Sequence, residues 1–151
     1  MTTEKRTRAR AIIIKNNQLL TMYREREDRI FYTFPGGGQE NNETLEQCVI
    51  REVEEEYGIK IAPIKQVYIY ENKNNIEHFF VCNWISGEFG TGIGEEYQAN
   101  NTNGKYIPMM IDINKIPLIP LMPPEITKFF YEDYKKFGKE LDSKIKTVVV
   151  E

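Results

Sequence analysis

Two cysteines, one histidine and one tryptophan are all that this 151-residue chain has of those residue types. Cys48 and Cys82 do not form a C-x-x-C pair, so the sequence spells out no disulfide framework or cysteine metal site. Both are expected as buried small hydrophobes. Long apolar runs are also missing. Stretches such as Ala11-Ile12-Ile13-Ile14 fall far short of the roughly 20 residues that span a bilayer. The basic N-terminus, MTTEKRTRAR, has no apolar segment behind it of the kind a secretory signal carries. A strong excess of one charge is absent too. A net charge of −3 and a pI near 5.4 argue against stable nucleic-acid binding, which depends on basic surface neutralising phosphates. There is no G-x-x-x-x-G-K-[ST] run to suggest a P-loop. What remains is a cytoplasmic protein with no membrane span. If its ligand carries phosphates, something other than net charge must attract them, and a bound divalent cation would do so.

The chain has the length of one domain with a real hydrophobic core, and residues 1–151 are read as one unit. Residues 1–7 are expected to form a flexible arm, with Lys5, Arg6, Arg8 and Arg10 as a solvated basic terminus leading into the first strand. ARAIIIKNNQLLTMYRE reads as two strands around an Asn16-Asn17 turn. Arg24 to Ile30 is expected as a charged loop, and FYTF as a β-prone run ending at Pro35. From Thr44 to Tyr57 the period becomes helical, with Leu45, Cys48, Val49 and Val53 on one face and Gly58 as the stop. A second strand pair turns at Asn72 to Asn75. A polar, glycine-rich loop follows over Gly87 to Gly104, then a strand over Lys105 to Ile113 in which Pro108 marks an edge or bulge. The prolines of PPEITKFFYEDYKKFG open a helix with Ile126, Phe129, Phe130 and Tyr134 as its apolar stripe. SKIKTVVVE reads as a late strand. The alternation implies an α+β fold, an α/β/α sandwich.

The chemistry sits in PGGGQENNETLEQCVIREVEEEYGI, Pro35 to Ile59. On a helix Glu52, Glu55 and Glu56 are related as i, i+3 and i+4 and share one face, while Glu54 points the other way. Like charges this close repel by roughly 0.2–0.5 kcal/mol per exposed pair, and a bound cation relieves that repulsion. Oxygen ligands of this kind select Mg²⁺ or Mn²⁺. The glycines let a carbonyl or N–H approach a metal or phosphate closely. Arg51 stands four residues before Glu55 and reaches back toward Glu43, a pairing that would brace loop against helix.

Gly37, Glu43, Arg51-Glu52-Val53, Glu55-Glu56 and Gly58-Ile59 fill every defined position of G-x5-E-x7-R-E-U-x-E-E-x-G-U. The segment resembles the box of the Nudix hydrolases, and strands on both sides and a late helix resemble that family's setting. The resemblance implies an α/β/α sandwich with a mixed central β-sheet. It also implies hydrolysis of a nucleoside diphosphate linked to another moiety, with Mg²⁺ or Mn²⁺ required. By position, Glu52, Glu55 and Glu56 correspond to metal ligands, and Glu55 or Glu56 also to the group that orients or deprotonates water. The Gly37 carbonyl corresponds to a further metal contact, and Glu43–Arg51 to the structural salt bridge. Asn42 departs from the glycine many members have there. Gly36, Gly37, Gly38 and Arg24 are candidate substrate contacts, with Arg26 and Arg29 weaker ones.

Some Nudix enzymes recruit a glutamate from a downstream loop, which makes Glu95 a candidate metal ligand and Glu96 a candidate substrate contact. His78 and Trp84 are expected to be structural, and Tyr97 is a candidate for stacking on a base. Gly90 to Gly94 is not a dinucleotide-binding turn, because no apolar helix follows it. A homodimer suits the resemblance. Two other readings compete: a non-catalytic nucleotide-binding module, which would be expected to lose box carboxylates, and a prenyl-diphosphate isomerase, which would need cysteine and glutamate acid–base groups.

Overall fold

The computed structural model describes residues 4–88 and 105–151. Strands β1 (Arg6–Lys15), β2 (Gln18–Arg26), β3 (Arg29–Thr33) and β4 (Gly36–Gly38) precede helix α1 (Leu45–Tyr57). Strands β5 (Lys60–Glu71), β6 (Asn75–Ser86), β7 (Lys105–Asp112) and β8 (Leu121–Met122) come next, then α2 (Pro124–Phe137) and β9 (Lys146–Val149). The strands connect in the order β8-β3-β2-β1-β6-β5-β9, with β4 paired to β1 and β7 to β2. The pairs β1–β6, β3–β8 and β5–β9 are parallel and the others antiparallel, so the sheet is mixed, as expected. β1 and β2 pair only at the turn, Ile14 with Leu19 and Lys15 with Gln18. Beyond it they diverge, which divides the sheet into two leaves.

Alternation along the strands builds the layers. Ala9, Ala11 and Ile13 of β1 and Phe80 and Cys82 of β6 pack with Cys48, Val49, Val53 and Tyr57 of α1. Their neighbours Ile12, Phe79 and Val81 pack with Ile126 and Phe130 of α2. Phe34 joins this second core, edge-on to Phe79 at 5.3 Å and to Phe130 at 6.2 Å, and so anchors the chain just before β4. A further tie closes the α2 side. Tyr68 donates to Asp133 at 2.7 Å, and Lys146 donates to Asp133 at 2.9 Å and to Asp142 at 3.1 Å.

Thr44 caps α1 reciprocally: its hydroxyl accepts from the Gln47 N–H at 3.0 Å, and the Gln47 side chain accepts from the Thr44 N–H at 2.9 Å. Gly58, at φ 75°, ends the helix as expected.

Two expectations need correcting. The charged segment from Arg24 to Ile30 is not a loop. β2 runs to Arg26 and β3 starts at Arg29, leaving Glu27 (φ 58°) and Asp28 as a two-residue turn. Solvent-facing charges hide the strand period there. Arg6 and Thr7 belong to β1 and not to an N-terminal arm, because parallel pairing to β6 orders the chain there. The Arg6 N–H donates to the Asn74 carbonyl at 2.9 Å, and Lys5 pairs with Glu71. Gly36 to Gly38 form a short strand, paired antiparallel to Arg10, Ala9 and Arg8. Pro108 lies on a strand, β7, that among the described residues pairs with β2 alone. No helix among the described residues is long and apolar enough to cross a membrane.

Candidate active site

The strand made only of glycine explains how the site is assembled. Gly37 lies opposite Ala9, which faces α1, so a side chain at 37 would point toward that helix. The Glu52 carboxyl group takes this place: a Cβ on Gly37 would stand 2.4 Å from its Cδ. Gly38 faces the other way, and its Cβ would meet the Arg6 guanidinium at 2.4 Å. Gly36 has φ 141°, and its Cβ would meet the Ala9 carbonyl oxygen at 2.1 Å, so only glycine fits there. The Gly36 N–H reaches Glu56 at 3.4 Å.

A cleft of about 270 Å³ is lined by Glu52 and Glu56, Gly36 to Gly38, Arg6, Arg8, Arg10, Arg24 and Tyr106. Acids of α1 thus meet arginines of β1 and β2 across a bare strand. Arg10 is fastened to Glu77 at 3.0 Å and to the carbonyls of Phe34 and Gly36 at 3.2 and 3.3 Å. Arg8 donates to the Asn75 side chain at 3.1 Å. Burial, then the charges of Arg10 and Arg6, pull the Arg8 guanidinium below its ordinary pKa. Arg24 donates to the Tyr106 hydroxyl at 2.6 Å and lies over that ring at 3.9 Å. Burial lowers its pKa as well.

Arg51 organises the acids. Its Nε and Nη2 donate to the two Glu43 oxygens at 2.7 and 3.1 Å, and Nη2 also donates to the Gly38 carbonyl at 3.1 Å. Its Nη1 donates to Glu52 at 3.1 Å and to Glu55 at 3.2 Å. The Arg51 hydrogen bond holds the Glu43 carboxyl at about 2. Glu43 in turn raises the Arg51 pKa.

Of the candidates named above, Glu52, Glu56, Arg24 and the three glycines converge on the cleft. Glu55 is not among the residues that line it; its carboxylate is half exposed and accepts from Arg51 at 3.2 Å. Among the described residues no three acidic, histidine or cysteine side chains close into a metal-holding group. The Gly37 carbonyl accepts from the buried Cys48 thiol at 3.5 Å. Arg26 and Arg29 pair with each other across the β2–β3 turn, away from the cleft. His78 bonds to Gln66 at 2.8 Å, and Trp84 carries Lys15 over its ring at 4.3 Å. Glu95, Glu96 and Tyr97 lie outside the described residues.

The NUDIX domain profile matches residues 5–101. This chain belongs to the Nudix family. The Nudix chain is 40% identical over 78 residues to the NAD-capped RNA hydrolase NudC of Photobacterium profundum, over 49% of its own length. The chain spans only 29% of that relative. It superposes on a NUDIX hydrolase from Nitrosomonas europaea with a TM-score of 0.71 at 18% identity, covering 99% of this chain and 81% of the other. Against an ADP-ribose pyrophosphatase from Streptococcus suis 89-1591 the TM-score is 0.61 at 19% identity, covering 97% of this chain and 100% of the other. At such identities the two structures share the Nudix fold.

The Nudix box accounts for the acidic half of the cleft. Of the basic half, sequence reasoning names Arg24 and misses Arg6, Arg8 and Arg10. Arg6, Arg8 and Arg10 alternate with Thr7 and Ala9, the period of a strand that presents one basic face. That signal is present in the sequence, and reading the segment as a solvated terminus passes over it. Nothing in the sequence points to Tyr106.

Proposed function

We propose that this protein is a divalent-cation-dependent Nudix hydrolase that splits a pyrophosphate linkage in a nucleoside diphosphate joined to another moiety. The observation that carries this reading is the cleft itself, where Glu52 and Glu56 face Arg8, Arg10 and Arg24 across Gly36 to Gly38. ADP-ribose and NAD, named in the proteins this chain resembles, both have such a linkage.

The donors fit a hard cation. Two carboxylates meet beside a residue whose missing side chain leaves room for one of them. Glu52 and Glu56 would hold Mg²⁺ or Mn²⁺, with Glu55 as the third acid of the same helical turn. A bound cation would neutralise phosphate oxygens and lower the pKa of water. The other groups bind and orient. Arg8 and Arg24 offer donors to non-bridging phosphate oxygens, and Arg10, fixed by Glu77, holds β4 in place. Arg51 keeps α1 and the glycine strand together through Glu43 and the Gly38 carbonyl. A water oxygen attacks one phosphorus, the bridging P–O bond breaks, and its electrons leave with the second phosphate. Glu56, which lines the cleft where Glu55 does not, takes the water proton. Glu95 and Glu96 remain candidates for a further ligand and a substrate contact. A small-molecule substrate, a reducing cytoplasm and a homodimer complete the reading.

The structure weighs against an isomerase. Burial pushes the Cys48 thiol up to about 11 and the Cys82 thiol up to about 12, and neither is placed to trade protons with a ligand. The test is incubation with Mg²⁺ and nucleoside triphosphates, nucleotide sugars, dinucleotides, ADP-ribose and capped RNA. A nucleoside monophosphate released from at least one of them, and blocked by chelation, is expected. No turnover of any of them would overturn the hydrolase and favour a binding module.

A further inference from the structure

Apart from the cleft, the surface carries an apolar knob beside an apolar hole. Leu118 is 82% exposed, the highest value of any large hydrophobic side chain among the described residues. It ends the 3-10 turn Ile113–Leu118. The backbone imposes this exposure, because the chain is rooted on both sides of it. Ile116 and Leu121 are buried in the α2-side core. The Ile119 N–H donates to the Ile116 carbonyl at 3.3 Å, and the Leu121 N–H to the Ile119 carbonyl at 3.0 Å. The Thr127 hydroxyl of α2 donates to the Leu121 carbonyl at 2.7 Å. Next to the knob, a groove of about 310 Å³ is lined by Pro117, Ile119, Pro120, Met122, Pro124 and Tyr131. It shares no lining residue with the cleft. Two exposed residues of α2, Lys128 and Glu132, also line it and bring one charge of each sign. Among the described residues neither has an ion-pair partner.

We infer that this face joins two copies of the chain about a two-fold axis, with Leu118 of each copy seated in the groove of the other. A second copy fits because the face is complementary to itself in both shape and charge. A two-fold axis makes every contact twice. Lys128 and Glu132 stand one helical turn apart on α2, so laying α2 antiparallel on its copy brings Lys128 to the partner's Glu132 and Glu132 to the partner's Lys128. Both gain the counter-ion that they lack within one chain. Seating Leu118 removes an apolar side chain from water and fills an apolar groove, again twice over. The three prolines fix the groove wall before association, so little conformational freedom is lost on pairing. The homodimer of the proposed function thereby acquires a face, and that face is independent of the reaction. It also backs onto the site: β8 lies within the same segment and pairs with Tyr32 and Thr33 of β3, the strand that leads into Phe34 and the glycines.

Sedimentation equilibrium of the full chain, without metal or nucleotide, tests this over about 1–100 μM protein. The mass is expected to rise with concentration from 17.8 kDa toward twice that value. Leu118→Asp should weaken the dimer at least about tenfold with an unchanged far-ultraviolet circular dichroism spectrum, since its side chain lies in solvent within one copy. Lys128→Glu and Glu132→Lys each set like charges against one another across the axis, and each should weaken self-association by about tenfold or more. An equal mixture of these two variants should regain the wild-type association, because the glutamates of one then meet the lysines of the other at both contacts. A wild-type chain that stays at 17.8 kDa throughout overturns the interface. So does a dimer that Leu118→Asp leaves at full affinity, or a mixture that associates no better than its components. A monomer that still cleaves nucleotides loses this face and keeps the hydrolase; a dimer with the expected variant pattern and no turnover does the reverse.

Discussion

A glycine differs from an alanine by one carbon, and two neighbouring glycines here should respond to that carbon in opposite ways. At Gly37 the added Cβ meets the end of a flexible side chain, the Glu52 carboxyl group. Gly37→Ala should therefore fold normally and displace Glu52, lowering kcat by roughly 100-fold or more, the scale of a misplaced catalytic group. At Gly36 the carbon meets backbone at a φ closed to other residues. Gly36→Ala should cost about 3 kcal/mol and lower the melting temperature by roughly 6–12 °C. Calorimetry and steady-state kinetics on the two variants check both statements, and a stable, active Gly37→Ala would refute the placement of Glu52. The glutamates should sort by direction as well. Glu52→Gln and Glu56→Gln face the cleft and should each lose about 10²–10⁴-fold in rate. Glu54→Gln should stay near wild type, since its half-exposed carboxylate pairs with Lys60 at 2.9 Å and does not line the cleft.

Helix α1 and the glycine strand act as one element because Arg51 joins them, and that joint has an acid limit. The Glu43 carboxyl is held at about 2, below its ordinary 4.5. A folded value below the unfolded one means that the pair's contribution to stability is complete above about pH 4.5. It is lost as the pH falls toward 2. Glu43→Gln should be less stable than wild type at neutral pH, and the gap should close over that window. Parallel stability curves for the two proteins from pH 6 to pH 2 would show that the pair contributes nothing. This element is also the most legible part of the chain. The start near Thr44, the stop at Gly58 and the facing of Glu52 and Glu56 follow from spacing within one helix, where sequence distance fixes spatial distance. The role of Gly36 to Gly38 as a strand is not legible, because three glycines have no side-chain alternation to read. Arg6, Arg8 and Arg10 mislead for another reason. A basic strand edge and a solvated tail share one composition, and only pairing with β6 and β4 separates them. Glu55 marks the limit of reasoning from one helix: it shares the face, yet it is half exposed and does not line the cleft.

Across the whole molecule, the two cores meet at the site. Phe34 belongs to the α2-side core, yet it directly precedes Pro35 and the glycine strand. Phe34→Ala should cost about 3–5 kcal/mol and reduce activity in the surviving folded fraction, because the anchor of β4 is gone. A variant that melts early with unchanged kcat would separate core from cleft. Cation binding should stabilise the fold by linkage, with a melting temperature that rises with Mn²⁺ concentration and does so less in Glu52→Gln. Cys48 and Cys82 are 0% and 4% exposed, both beneath α1, and Cys48 touches the carbonyl of Gly37. An alkylating reagent can reach the Cys48 sulfur only when α1 lifts off the sheet, so that thiol is a native clock for the opening, and a ligand that clamps the glycines beneath α1 should slow it.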